Sequence, residues 1–249
     1  MQFSIDKSGL KQVFDQWLDE AGNRYADRQW LLSKWEVMEG IEWPQEKIDM
    51  MMRSIQEGLS LRKGNSLVDL GCGGGWILER LRGDVKEAVG LDFCADMLKV
   101  AKKFSQGSWV QGEIGRLPFK NNSFDRALSY FVFLNFTDDR FVESGILDIY
   151  RILKKGGVAL IGQLPLKGSN ARYDQAKAEY VEYCSRIMPL GKRNDEGTRA
   201  PLRSFDKDVL ADFLKRHNIR HEFRLSFNPF YRPGAAEKVD WRFDLAVFK

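Results

Sequence analysis

Three glycines at alternating positions, Gly71, Gly73 and Gly75, follow the run Val68-Asp69-Leu70, and Ile77-Leu78-Glu79-Arg80-Leu81 beyond them has helical spacing. Glycine has no Cβ, so such a backbone turns sharply and lets a ligand approach. A turn that feeds a helix also presents unpaired N–H groups to an acceptor atom. About 20 residues on, Ala88-Val89-Gly90-Leu91-Asp92 reads as a second apolar run ending in an acid, the spacing of one strand–helix–strand step. A carboxylate there accepts two hydrogen bonds from a vicinal diol such as that of a ribose. These residues therefore suit the holding of a nucleoside-type ligand at the carboxyl edge of a parallel sheet. Trp76 stands where a dinucleotide fingerprint needs its third glycine, and no Gly-Lys-Ser/Thr follows, which argues against the two familiar phosphate-binding loops. The plainer alternatives are a glycine-rich turn with no ligand and, for Asp92, a cap for a helix predicted over 95–101.

Four segments extend the pattern: VDLGCGGGW (68–76), GLDFCADML (90–98), GEIGRLPFKNNSFDRALSYF (112–131) and RILKKGGVALIG (151–162). In this order and at these intervals the sequence resembles a class I S-adenosylmethionine-dependent methyltransferase, of the type 11/25-like, small-molecule group. The resemblance runs from Ile48 to Gly162 and more loosely beyond. It implies an α/β fold, a doubly wound, mostly parallel seven-stranded sheet of the Rossmann-like methyltransferase kind, and S-adenosyl-L-methionine as cofactor. It also implies that Gly71 and Gly73 position the methionine end and that Asp92 holds the ribose. Phe93 would then pack by the adenine, with Glu113 accepting from its amino group and the Ile114 N–H reaching its ring. The family more often has Asp-Ala where this chain has Glu113-Ile114. Ser129 and Tyr130, ending the next strand, are candidates for contact with the methionine part or the substrate. The Asn/Asp-Pro-Pro-Tyr/Phe run of base N-methylating enzymes is replaced by Ser-Tyr-Phe-Val, and the histidine that many small-molecule members carry near Leu134-Asn135 is missing. No catalytic base is named on this basis.

The elements that must position these residues follow from periodicity. Leu10, Val13, Phe14, Trp17, Leu18 and Ala21 make one amphipathic helix, and a second is predicted over 30–38. Pro44 suits the first turn of a third helix, striped by Ile48, Met51, Met52, Ile55 and Leu59, with Gly58 or Gly64 near its exit. Strands are expected over 109–113, 124–130 and 158–162, the last after a Lys154-Lys155-Gly156-Gly157 turn, with a helix over 146–153. Residues 165–203 read as an insertion with one helical piece (Tyr173, Ala176, Tyr180, Tyr183, Cys184, Ile187), which either shapes an acceptor pocket or elaborates the surface. Its Arg193, Arg199 and Arg203 either grip an acidic substrate or belong to a solvated loop, the plainer choice. A helix over 206–217 and strands over 221–227 and 241–247 complete the fold, and the resemblance implies that the last strand is antiparallel. Residues 1–42 are taken as an N-terminal helical cap on a domain spanning 43–249. That cap is rich in aromatics, either as packing or as a lid in which Tyr25 and Trp30 face a cationic group.

Bulk properties agree with an enzyme of the cytoplasm. The 249 residues suit one domain with decorations, and a net charge of +4 is too mild to imply a nucleic-acid partner. Cys72, Cys94 and Cys184 lack metal-ligand spacing and read as free thiols, and no metal site is expected. No signal peptide or membrane span is read, and nothing marks an oligomeric state. The sequence thus predicts methyl transfer to a small-molecule acceptor. The alternatives are an RNA or protein methyltransferase, a protein that binds S-adenosylmethionine without chemistry, and a nicotinamide-type oxidoreductase, which Trp76 disfavours.

Overall fold

Ser66–Leu70 (β3) is buried along its whole length, as a strand covered on both faces must be. In the computed structural model, which describes residues 37–38, 41–136, 138–187 and 203–249, β3 lies at the middle of a seven-stranded sheet. Glu87–Asp92 (β4) and Ser108–Gln111 (β5) extend it on one side, and Phe124–Tyr130 (β6) and Leu153–Pro165 (β7) on the other, all parallel. Arg220–Phe227 (β8) and Lys238–Phe248 (β9) complete the sheet in the order β5-β4-β3-β6-β7-β9-β8. β9 runs antiparallel to both of its neighbours. Order and directions match the expected doubly wound, mostly parallel architecture. The reversal of strand order between β3 and β6 opens a crevice at their carboxyl ends, where such sheets bind ligands.

Gln45–Leu59 (α1), Trp76–Leu81 (α2), Ala95–Phe104 (α3), Asp139–Ile152 (α4), Asn170–Ile187 (α5) and Lys207–Arg216 (α6) flank the sheet. Pro44 caps α1, and the predicted stripe from Ile48 to Leu59 is buried. Gly58 lies near the exit as expected, and the left-handed residue that ends the helix is Ser60, at φ 47°. Two cores form, one on each face of the sheet. One joins α4 and α6 to the sheet through Ile146, Ile149, Phe213 and Leu214, the other joins α1 and α2 through Met51, Ile55, Leu59 and Leu78. At the amino ends of the strands the Ser66 N–H and hydroxyl both donate to Asp125, beside Lys154. Burial pushes the Asp125 carboxyl up, but these three partners outweigh it and bring it down to about 2.

The insertion contributes α5, docked by Tyr173 and Tyr180 on Phe230 and Trp241. The fully buried Lys47 ammonium lies 4.0 Å from the Trp43 ring centre and 4.1 Å from that of Tyr180, fastening α1 to α5.

Three expectations change. Val37–Met38 (β1) pairs antiparallel with Ile41–Glu42 (β2), so the helix predicted over 30–38 does not include its last two residues. The predicted turn at Lys154–Gly157 is absorbed into β7, where Phe124 pairs with Leu153 before the register shifts. The third strand of the expected set stops at Gln111, leaving Glu113 in the turn beyond it. Residues 1–36, and with them the predicted first helix, Tyr25 and Trp30, lie outside the described residues, as do Arg193 and Arg199.

The chain enters α2 from Gly75 at φ 81°, and the Trp109 ring fills the space a side chain there would need, 2.4 Å from an ideal Cβ. Gly75→Ala therefore combines a left-handed backbone with a clash, and should destabilise the protein by about 1–3 kcal/mol. Urea denaturation of the two proteins checks this, and an unchanged midpoint would contradict the packing described.

Candidate functional site

The turn after β3 is built from backbone hydrogen bonds. Gly71 N–H and Cys72 N–H both donate to the Leu91 carbonyl, at 2.7 and 3.0 Å, locking the turn to the end of β4. Gly71 and Gly73 have φ of 81° and 52°, the left-handed region that favours glycine. The side chain of Val132 approaches within 2.5 Å of where a Cβ on Gly71 would sit. Both glycines line a cleft with about 700 Å³ of empty space, counting its open mouth. Gly75 does not line it; its glycine is needed for Trp109 rather than for a ligand.

Asp92 joins the two turns. One carboxylate oxygen accepts from Gly73 N–H and the other from Cys94 N–H, each at 2.8 Å. A carboxylate has about four lone-pair sites, so acceptor capacity remains for a ligand hydroxyl beyond the backbone N–H groups. Burial pushes the Asp92 carboxyl up, against the opposing pull of the Cys94, Gly73 and Phe93 N–H groups. Behind it Asp69, 2% exposed, is pushed up to about 7 by its own burial and by the charge of Asp92. Burial, with the nearby Asp69 and Asp92 charges, also pushes the Cys72 thiol far up, so it is no nucleophile.

Phe93, Glu113 and Ile114 line the same cleft, so the structure brings together the three residues expected at a base. Glu113 and Ile114 sit in a tight turn closed by the Arg116 N–H on the Glu113 carbonyl at 3.1 Å. Among the described lining residues the charged ones are Asp92 and Glu113, both acidic, and no Lys or Arg is present.

The opposite wall comes from the end of β6. Tyr130, Phe131, Val132 and Phe136 make it aromatic and apolar, with Asn135 as its polar member. Phe131 is left-handed at φ 60°, rare for an aromatic residue and costing on the order of 1–3 kcal/mol. Gln163, also left-handed at φ 65°, immediately follows Gly162, the partner of Tyr130 across the β6–β7 pair. Its side-chain amide donates to Ser226 Oγ and the Phe227 carbonyl at 2.8 Å, and to Tyr130 Oη at 3.4 Å. The Ser226 hydroxyl in turn donates to Asp244, a carboxyl that burial pushes up to about 6. Burial and the Asp244 charge hold the Tyr130 phenol well above its ordinary value. With its hydroxyl in this buried network, Tyr130 offers the cleft its ring rather than an acid or base.

One expected contact is not formed. The Ser129 hydroxyl donates to the Leu70 carbonyl at 3.0 Å, is 1% exposed and does not line the cleft. It faces the neighbouring strand because side chains alternate along β6, and Tyr130 takes the position at the edge. Arg203 is ion-paired with Asp139 at the start of α4, so it is not open to an acidic substrate. No described residue of α5 lines the cleft. His217 and His221 each place Nδ1 3.0 Å from a backbone carbonyl, away from the site. Asp69 and Asn135 were not singled out from the sequence. The position of Asp69 at a strand end before a glycine turn was a usable signal, while nothing local marks Asn135.

Residues 68–161 match a family model described as a methyltransferase domain. Over these residues the chain carries a class I S-adenosylmethionine-dependent methyltransferase domain. The 2-phytyl-1,4-naphtoquinone methyltransferase of Nostoc sp. is 30% identical over 142 residues, covering 53% of this chain and 59% of that protein. The demethylmenaquinone methyltransferase of Staphylococcus carnosus is 30% identical over 157 residues, covering 60% and 61%. An uncharacterized protein of Methanocaldococcus jannaschii, MJ1252, is 36% identical over 98 residues, covering 39% and 36%. The chain thus spans about three-fifths of the length of the two quinone enzymes and about a third of the third relative. A SAM-dependent methyltransferase structure from Thermotoga maritima shares the methyltransferase fold at a TM-score of 0.55 and 19% identity, covering 92% of this chain and 96% of that one.

The buried acids make stability pH-dependent. Between pH about 4 and about 7 folded Asp69 keeps its proton while unfolded Asp69 releases it, so stability falls as pH rises through this window; Asp244 acts in the same direction up to about 6. Asp69→Asn should flatten part of this decline in thermal melts run from pH 5 to 8. Curves that stay parallel for the two proteins would contradict the assignment.

Proposed function

We propose that this chain transfers the methyl group of S-adenosylmethionine to a small, apolar, ring-bearing acceptor. One observation carries the reading: the cleft has an acidic wall with no basic side chain among its described lining and, facing it, an aromatic wall. The first suits a cationic nucleoside ligand and disfavours a phosphate, while the second suits a flat apolar partner. The names of the two quinone methyltransferases among the relatives support an acceptor of that shape.

When bound, S-adenosylmethionine supplies a methyl carbon made electrophilic by its sulfonium and open to in-line displacement. The residues present fit that ligand. Gly71 and Gly73 leave backbone exposed for its methionine end, and Asp92 offers its carboxylate to a ribose diol. Phe93 gives a face for the adenine, and Glu113 with the Ile114 N–H gives an edge. Tyr130, Phe131 and Phe136 exclude water and orient the acceptor, so alignment provides much of the rate. No part is assigned to Ser129. Residues 43–249 form the methyltransferase unit in this reading, with 165–203 as its insertion, residues 1–42 as an N-terminal cap that ends in the β1–β2 pair, and Tyr25 and Trp30 as part of a lid. No described helix is long and apolar enough to cross a membrane, and Cys72 and Cys94 are free thiols; we place the reaction in the cytoplasm.

Asp92→Ala should weaken binding of S-adenosylhomocysteine by about 10- to 100-fold, on the order of 1.5–3 kcal/mol, measured by calorimetry on protein shown to be folded by its thermal melt. An unaltered affinity rules out the ribose role. Release of labelled methyl onto a 1,4-naphthoquinol tests the acceptor class.

A further inference from the structure

Asn135 lies on the aromatic wall of the cleft, in the short 3-10 turn Phe133–Asn135 that follows β6. Its side-chain nitrogen donates to the Phe131 carbonyl and to the Val132 carbonyl, both at 3.1 Å. These two bonds use both hydrogens of the amide and brace the left-handed Phe131. They also fix which way the amide points, because the flipped group would set its oxygen against two carbonyl oxygens. Asn135 Oδ1 accepts no hydrogen bond from any described residue, and it is not among the buried side-chain oxygens without a partner. It is therefore an oriented acceptor that remains accessible, on a wall otherwise formed by Tyr130, Phe131, Val132, Phe136 and Phe141. Tyr130 does not compete for this role, since its hydroxyl is held by Gln163.

We propose that Asn135 is a specificity-determining residue, whose Oδ1 accepts a hydrogen bond from an O–H or N–H group of the methyl acceptor. This rests on the methyltransferase reading and deepens it: the acceptor is a ring compound that carries a hydrogen-bond donor, not merely an apolar one. A neutral carboxamide does not take up a proton at physiological pH, so Asn135 orients the donor group and leaves the proton to solvent. A site that offers a fixed acceptor to a substrate hydroxyl discriminates against the analogue that lacks it, because its own oxygen is then left without a partner in an apolar setting.

The test uses the full chain saturated with S-adenosylhomocysteine and paired probes that differ only in the donor hydrogen: 1,4-dihydroxynaphthalene against 1,4-dimethoxynaphthalene, and indole against 1-methylindole. Affinities are read by calorimetry. The wild type should prefer the donor-bearing member of at least one pair by about tenfold. Asn135→Ala should abolish that preference, and Asn135→Asp, which keeps an acceptor oxygen but cannot brace Phe131, should retain it. If Asn135 only braces the turn, the two variants will behave alike. That result, equal affinities within both pairs on the wild type, or no binding of any probe overturns the proposal. Absence of S-adenosylhomocysteine binding to the wild type would instead overturn the methyltransferase reading, and the role of Asn135 with it.

Discussion

Both oxygens of the Asp92 carboxylate are occupied by backbone N–H groups from different turns, Gly73 after β3 and Cys94 after β4. A buried carboxylate with no cation among the described residues lining its cleft is costly, and N–H donors are what make it tolerable here. The same bonds fix the glycine turn relative to β4, so the cradle exists before any ligand arrives. Glu113 adds a second acid to the lining, and the two together bias the cleft toward positive charge. A sulfonium ligand fits such a field, and a pyrophosphate does not.

The aromatic wall depends on a different device. Phe131 and Gln163 adopt left-handed backbone near the ends of two adjacent strands, and each is held by side-chain hydrogen bonds. Asn135 braces the first. For the second, Gln163 N–H donates to Asp244 and Arg242 donates to the Gln163 carbonyl. The network is buried beneath Tyr130, so the ring facing the cleft is supported by polar groups that the cleft never meets. Strain of this kind persists only where its surroundings over-determine it, and here it shapes a binding wall.

The parts readable in the sequence were those set by local chemistry. Gly71, Gly73 and Asp92 announce themselves because a left-handed turn and a strand-end acid have few residue choices, and β3, β6 and β7 follow from apolar runs buried on both faces. The end of β6 was legible only as a location. Whether Ser129 or Tyr130 faces the cleft is a matter of strand phase, and periodicity does not say which phase ends at the edge. The left-handed Phe131 was not foreseeable, since nothing in Tyr-Phe-Val encodes it and its support comes from Asn135 and from β7. The acid at 113 was assigned to a strand that stops earlier, because its position is set by the Glu113–Arg116 turn. The pairing of Arg203 was not legible because its partner, Asp139, is remote in the chain.

A crystal structure with S-adenosylhomocysteine bound addresses the central claim directly. The ribose hydroxyls should lie on the Asp92 carboxylate while Gly73 N–H and Cys94 N–H remain attached to it, with the sulfur directed toward the Tyr130–Phe136 wall. A ligand seated elsewhere, or an Asp92 side chain that makes no contact with the sugar, would contradict it.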